Sequence, residues 1–211
     1  RTSERLGAIV PVSILVGITG GMGAGKSTFA AMLCQQGARL VDADRIGHEV
    51  IERPEVKAAL AAAFGDDIEN SDGEIDRRKL GKRAFQNRSS LHELNAAVAP
   101  ALRRELWRQV SEGVDSDIVV VDAALILEWG EREQFDFLVV VVADDAVTQA
   151  RLGGQKGYSE AEIRQRMEGQ VSVADKIAQA DLVVENNSDR AALKGTAEEV
   201  WNSLCRKLPG R

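Results

Sequence analysis

Apolar residues fall along this chain in two rhythms. Five short runs are almost continuously apolar and rich in β-branched side chains: ILVGIT (14–19), ARLVDAD (38–44), DIVVVDAAL (117–125), FDFLVVVVAD (135–144) and ADLVVEN (180–186). Between them lie stretches with apolar positions at helical spacing, such as STFAAMLCQQG, which Gly37 stops, and PEVKAALAAAFG, which Gly65 stops. A continuously apolar run suits a strand covered on both faces, and such strands alternating with helices form a parallel sheet. The pattern predicts an α/β fold with a five-stranded parallel sheet. Ligands of such sheets collect at the carboxyl ends of the strands. The polar residues there, Asp42, Asp44, Asp122, Asp144 and Asn186, are therefore the first candidates for chemistry.

Two intervals are longer than a crossover needs. Residues 45–116 read as a helical insertion over the strand ends. Within them SLHELNAAVAPALRRELWRQV opens on a Ser90/Glu93 capping box and carries Leu91, Leu94, Val98, Leu102, Leu106 and Val110 on one face. Pro100 is expected to kink or split that helix. Residues 151–176 begin with a Gly-rich stretch, GGQKG, followed by a second capping box, Ser159/Glu162, and by Arg164 and Arg166. A hinge followed by a basic helix is the pattern of a closing lid.

GITGGMGAGKST (17–28) sits where the first strand hands over to the first helix. Gly20, four residues, then Gly25-Lys26-Ser27 is the spacing of a phosphate-binding P-loop. Glycines let successive N–H groups curl around an anion, and the helix N-terminus points its free donors at the same place. Gly21, Gly23, Ala24, Gly25 and Thr28 would cradle the phosphates of ATP, Lys26 would reach the β- and γ-phosphates, and the Ser27 hydroxyl would ligate Mg²⁺. A chance Gly-rich turn would not account for the strand before it and the helix after it.

Composition narrows the class. The net charge of −6 argues against a general nucleic-acid binder. Cys34 and Cys205 fit no metal or redox spacing and read as reduced thiols of a cytoplasmic protein. RTSER followed by LGAIVPVSILVGI imitates a signal peptide, but its apolar run leads straight into the P-loop and is too short to span a membrane. Residues 1–12 are expected to be a flexible extension. A GTPase would carry an Asn-Lys-x-Asp motif, which is absent. RLGGQ (151–155) mimics the signature of a transport ATPase but follows IVVVD instead of preceding it. A small-molecule kinase needs a P-loop, an acceptor-holding insertion and an arginine-bearing lid, and all are suggested.

Several stretches together resemble the dephospho-coenzyme A kinase family: GITGGMGAGKST, LVDADRIGHEV, AFGDDI with DGEIDRRKL, VVVDAALILE and DLVVENN. The resemblance covers nearly all of residues 14–190 and implies a P-loop NTPase three-layer sandwich. It implies ATP-dependent phosphorylation of the ribose 3′-hydroxyl of dephospho-CoA, with Mg²⁺, by a monomer or small homo-oligomer that engages neither nucleic acid nor membrane. The alternatives are another nucleoside or nucleotide kinase and a non-catalytic ATP-binding module.

A ribose hydroxyl needs a base. Asp44 matches the second Asp of the family's DAD and would be that base, ending a strand adjacent to the P-loop strand. Asp42 would ligate Mg²⁺ through water, orient the loop or cap a helix. Asp122 stands where an acidic residue that holds the metal's water is expected. His48 matches a family position and contacts substrate or lies on a helix surface. Asn186 lies in the last matching stretch and is assigned to the nucleotide. Residues 77–88, RRKLGKRAFQNR, hold six Lys/Arg. They suit a diphosphate-bearing substrate or a solvated helix face, and Arg77, which closes DGEIDR, is the candidate contact. Arg151 is the remaining lid arginine, because Gln155 stands where the family has another, and Lys156 or Arg164 would substitute in part. The expected organisation is one kinase domain, 13–211, with a core of 13–44, 117–150 and 177–211, an acceptor-binding insertion at 45–116 and a lid at 151–176.

Overall fold

Each of the five apolar runs forms a strand in the computed structural model, which describes residues 14–112, 117–155 and 170–208. The expected extension, 1–12, lies outside the described residues, as do Lys156, the Ser159/Glu162 box, Arg164 and Arg166. The strands are β1 (Ile14–Gly20), β2 (Arg39–Asp42), β3 (Ile118–Asp122), β4 (Phe137–Val142) and β5 (Leu182–Glu185). They pair in parallel in the order β2-β3-β1-β4-β5. β3 therefore lies between β2 and the P-loop strand, which corrects the expectation that β2 would be its neighbour.

Alternate strand residues feed opposite faces, which is why the runs are apolar at every position. Leu15, Val119, Val121 and Leu138 enter one buried cluster, and Val16, Ile18, Val120 and Val139 enter the other. The second cluster is closed by α1 (Lys26–Gln36) and the C-terminal helix. The first is closed by the insertion helices α2 (Ala43–Val50), α3 (Pro54–Phe64), α4 (Arg77–Ala84) and α5 (Arg88–Glu112), through side chains such as Ile46, Leu60, Leu80 and Leu106. The insertion thus has no separate core. Fully burying each such Leu or Ile favours this arrangement by about 1.5–3 kcal/mol. The remaining α-helices among the described residues are α6 (Asp145–Gln155), α7 (Val173–Ala178) and α8 (Arg190–Cys205).

Three local expectations change. α5 starts at Arg88, not at a Ser90 cap, because the Asn87 Oδ1 accepts the Ser90 N–H at 2.9 Å and does the capping itself. α5 is not split at Pro100, since Ala101, Leu102 and Leu106 bury on the core side and tertiary packing outweighs the lost backbone bond. Gly153 and Gly154, read as the start of a hinge, continue α6. Cys34 and Cys205 are free thiols on α1 and α8.

Charged groups tie α5 into place. Arg39 on β2 donates to the Gln109 and Val110 carbonyls, each at 2.9 Å, at the end where a helix carries partial negative charge. Glu105, only 7% exposed, accepts from Arg53 at 2.7 Å, Arg108 at 2.5 Å and Gln109 at 3.0 Å. The Arg108, Gln109 and Arg53 hydrogen bonds hold its carboxyl far below the usual carboxylate range. A depressed folded-state pKa stabilises fully above that range, and the contribution is lost as pH falls towards the depressed value. Glu105→Gln is therefore expected to lower Tm at neutral pH, with the deficit shrinking below about pH 4. Thermal melts of both proteins across that range check it, and a deficit independent of pH contradicts it.

Candidate active site

β1 must turn sharply to become α1, and two glycines make the turn possible. A Cβ on Gly20 would stand 2.0 Å from the Val141 carbonyl oxygen of the neighbouring strand. A Cβ on Gly25 would stand 2.3 Å from Asn186 Nδ2, and Gly25 also has a φ of +96°. α1 then starts at Lys26, directly after the loop, with no side chain capping its N-terminus. The Lys26 ammonium donates to the Gly21 carbonyl at 2.9 Å and to that of Gly20 at 3.3 Å, which holds it over the loop.

The far wall of the loop comes from β5 and α6. Asn186 is buried and donates through Nδ2 to the Ala24 carbonyl at 2.8 Å. Arg151 Nη2 donates to the Asn186 carbonyl at 3.0 Å and Nη1 to that of Ala24 at 3.5 Å. The guanidinium thus braces the P-loop against the end of β5. Asp144, another strand-end candidate, is engaged with Asn187: its N–H donates to Asn187 Oδ1 at 2.7 Å and its carboxylate accepts from Nδ2 at 3.0 Å. That pair ties the ends of β4 and β5 together.

Asp122 ends β3 and is 7% exposed, directly beside the P-loop helix. The Ser27 hydroxyl lies close to its carboxylate. Burial pushes its pKa up, and the Asp42 and Asp44 charges add to this, while Ser27 and Lys26 act in the opposite direction. Asp42 is the last residue of β2 and caps α2, its Oδ1 accepting the Arg45 N–H at 3.0 Å. This cap ends the strand two residues before the expected boundary. Asp44 is consequently not a strand-end residue: it sits in the first turn of α2, with His48 one turn further on.

A cleft of about 850 Å³ runs across these groups. Gly23, Gly25, Lys26, Ser27, Thr28, Arg151 and Asn186 line it together with Asp44, His48 and Asp122. Ala24 and Gly21 take part through their carbonyls. Phe85, Leu91, Leu94 and Asn95 from the insertion also line it, as do Ser188 and Arg190. Sequence reasoning assigned none of these six to the site, because isolated apolar or polar residues on a helix carry the same pattern whether they face core or cleft. Arg77 is not brought to the cleft: it is exposed on the first turn of α4. Its basic neighbours serve the insertion, with Arg83 paired to Asp67 at 2.6 Å and Lys79 donating to the Asp67 carbonyl at 2.7 Å. Of residues 77–88 only Phe85 lines the cleft.

Among the described residues no group of three or more His, Cys, Asp or Glu could hold a metal ion by itself. A hydroxyl beside one carboxylate instead fits Mg²⁺, which keeps several waters and takes other ligands from substrate phosphates. None of the described helices is long and apolar enough to cross a membrane.

A parallel sheet with a P-loop at its centre, and an insertion that closes a cleft over that loop, define a P-loop kinase. Residues 14–192 match the model of the dephospho-CoA kinase family, and the chain belongs to that family. It is 34% identical over 197 residues to the dephospho-CoA kinase of Thermobifida fusca, covering 93% of this chain and 98% of that one. It is 38% identical over 197 residues to that of Geobacillus kaustophilus, covering 92% and 94%. Among solved structures, TT1252 from Thermus thermophilus superposes with a TM-score of 0.75 at 27% identity, covering 94% and 99%. Dephospho-CoA kinase from Campylobacter jejuni (TM-score 0.61, 18% identity, 92% and 98% coverage) shares the fold. So does shikimate kinase from Acinetobacter baumannii (TM-score 0.52, 16% identity, 93% and 96% coverage).

The buried Asp122 carries a cost that the fold alone would not choose. Its raised folded-state pKa means that it stabilises at low pH and that this contribution is lost as pH rises through the folded value. Asp122→Asn keeps an acceptor for Ser27 and removes the buried charge. The variant is expected to melt at or above the wild-type temperature near neutral pH while losing phosphoryl transfer by about tenfold or more, a stability–activity trade. Paired thermal melts and turnover rates test this, and a variant that is both active and less stable refutes it.

Proposed function

We propose that the cleft phosphorylates the ribose 3′-hydroxyl of dephospho-CoA with ATP as donor, giving CoA and ADP. The supporting observation is that Asp44 and the Lys26–Ser27 step line the same cleft, with the Asp122 carboxylate in its wall. The P-loop N–H groups and Lys26 hold the β- and γ-phosphates and meet the charge that develops on their oxygens. Ser27 and Asp122 would hold Mg²⁺, which when bound would neutralise phosphate charge. Asp42 spends its carboxylate on capping α2, whereas Asp44 opens onto the cleft and accepts the hydroxyl proton as the ribose oxygen attacks. His48 contacts the acceptor beside it. Arg77, away from the cleft, is given no acceptor role. Asn186 and Arg151 set the wall against which the nucleotide lies.

The acceptor is tested by ADP release with dephospho-CoA, adenosine, AMP, shikimate and gluconate, with the phosphorylated position read from the product. Dephospho-CoA should be strongly preferred. Preference for AMP or adenosine replaces this reading with a nucleotide or nucleoside kinase, and ATP binding without any turnover replaces it with a binding module.

The base is tested by Asp44→Asn, which preserves shape and removes the proton acceptor. Its kcat should fall by roughly 10²–10⁴, with little change in ATP affinity. A kcat within about threefold of wild type transfers the role elsewhere.

Arg151, as a lid arginine, would meet the charge on the transferring phosphoryl, mainly in the closed transition state. Its hydrogen bonds to Ala24 and Asn186 add a second role, that of a brace on the donor side. Arg151→Ala should accordingly lower kcat and also raise KM for ATP, while KM for dephospho-CoA stays within about threefold. Initial-rate kinetics with each substrate varied in turn separate the two roles.

A further inference from the structure

Lys176 is a buried lysine at 1% exposure, carried on α7. Its ammonium makes an ion pair with Glu128 at 3.1 Å and donates to the Ala124 carbonyl at 2.8 Å. Glu128 Oε1 also accepts the Val171 N–H at 2.8 Å. The Ala124 carbonyl in turn accepts from Thr19 Oγ1 at 3.0 Å, and Thr19 is fully buried on β1, one residue before Gly20. One buried ion pair therefore joins three segments. They are the end of β1 that feeds the P-loop, the turn after β3 that carries Ala124 and Leu125 into the cleft wall, and the stretch 170–173.

These segments form part of the cleft wall. Gln170, Ala124 and Leu125 line it, and Asp122 lies two residues before Ala124. A Cβ on Gly21 would meet the Val173 methyl at 3.7 Å, so the start of α7 rests on the P-loop itself. Stability alone does not explain a charge pair here. Well-packed uncharged side chains of similar size serve a buried position as well or better, because both charges have lost their water. What the pair adds over an apolar contact is direction. The ammonium must sit between the Glu128 carboxylate and the Ala124 carbonyl, and the second acceptor site of Oε1 fixes Val171.

We infer that Lys176 and Glu128 are positioning residues that set the distance between the P-loop and the wall of the cleft after β3, and with it the alignment of donor and acceptor. This rests on the phosphotransfer reading above. Neither residue lines the cleft. The pair matters because displacing reacting groups by about 1 Å costs on the order of 10²-fold in rate.

The test is a double variant, Lys176→Met with Glu128→Gln, which removes both charges and leaves an amide oxygen for Val171. It is expected to fold, with Tm close to wild type, and to lose kcat by about tenfold or more. Both KM values and ATP affinity should stay within about threefold. Glu128→Asp is the second variant: it keeps the charge but is one methylene too short to hold Lys176 and Val171 together. A positioning role predicts at least about a fivefold fall in kcat in that folded variant. Wild-type kcat in either folded variant overturns the inference, as does a loss confined to KM. If wild type prefers another acceptor, the acceptor assignment falls and the same kcat comparison is made with that acceptor. If wild type transfers phosphate to none of them, both readings fall.

Discussion

The P-loop makes its tight turn only because the chain carries no side chain at Gly20 and Gly25. At the first, a Cβ would occupy the space of the Val141 carbonyl, and at the second that of the Asn186 amide. The close approach at Gly20 fixes how β1 lies against β4, and the one at Gly25 lets Asn186 and Arg151 both hold the Ala24 carbonyl. The loop is thus held from outside by the sheet and from inside by Lys26, and its donors are aimed before a nucleotide arrives. Such preorganisation is the main thing a protein contributes to phosphoryl transfer, where little covalent work is required of it.

The acidic residues around that loop divide their work by burial and geometry. Asp42 is taken up by a helix cap, Asp122 is buried against Ser27, and Asp44 is left facing the cleft. The same residue type in one small region therefore does three things. The cap at Asp42 is what turns the chain so that Asp44 and His48 arrive on one side of the cleft, one helical turn apart. The buried charge at Asp122 is the strained member, held beside the Lys26 ammonium.

The insertion illustrates how one cluster can serve two purposes. Its helices complete the core on one face of the sheet, and the same helices present Phe85, Leu91, Leu94 and Asn95 to the cleft. The basic stretch at 77–88, attractive as a phosphate site from charge alone, gives two of its six cations to the insertion, where Asp67 takes up Arg83 and Lys79. A run of like charge along a chain does not say which way its side chains face, and here Leu80 and Ala84 set the direction of α4 by burying.

Much of this protein is legible in its sequence because the physics involved is local. Continuous apolar runs read as buried strands, glycines at fixed offsets read as a phosphate loop, and Gly37 and Gly65 read as helix ends. The features that were not legible depend on residues far apart in the chain. Strand order put β3 between β2 and β1, and neither strand's own residues encode its neighbour. The 25 residues of α5 run through Pro100 because the core lies beside them. Arg151 turned towards Ala24 and Asn186, and Lys176 found Glu128 48 positions earlier. The sequence by itself determined the elements, the P-loop and the family. Only the tertiary structure decided which charges meet, because the partner that makes a buried lysine or aspartate tolerable is supplied by packing and not by proximity along the chain.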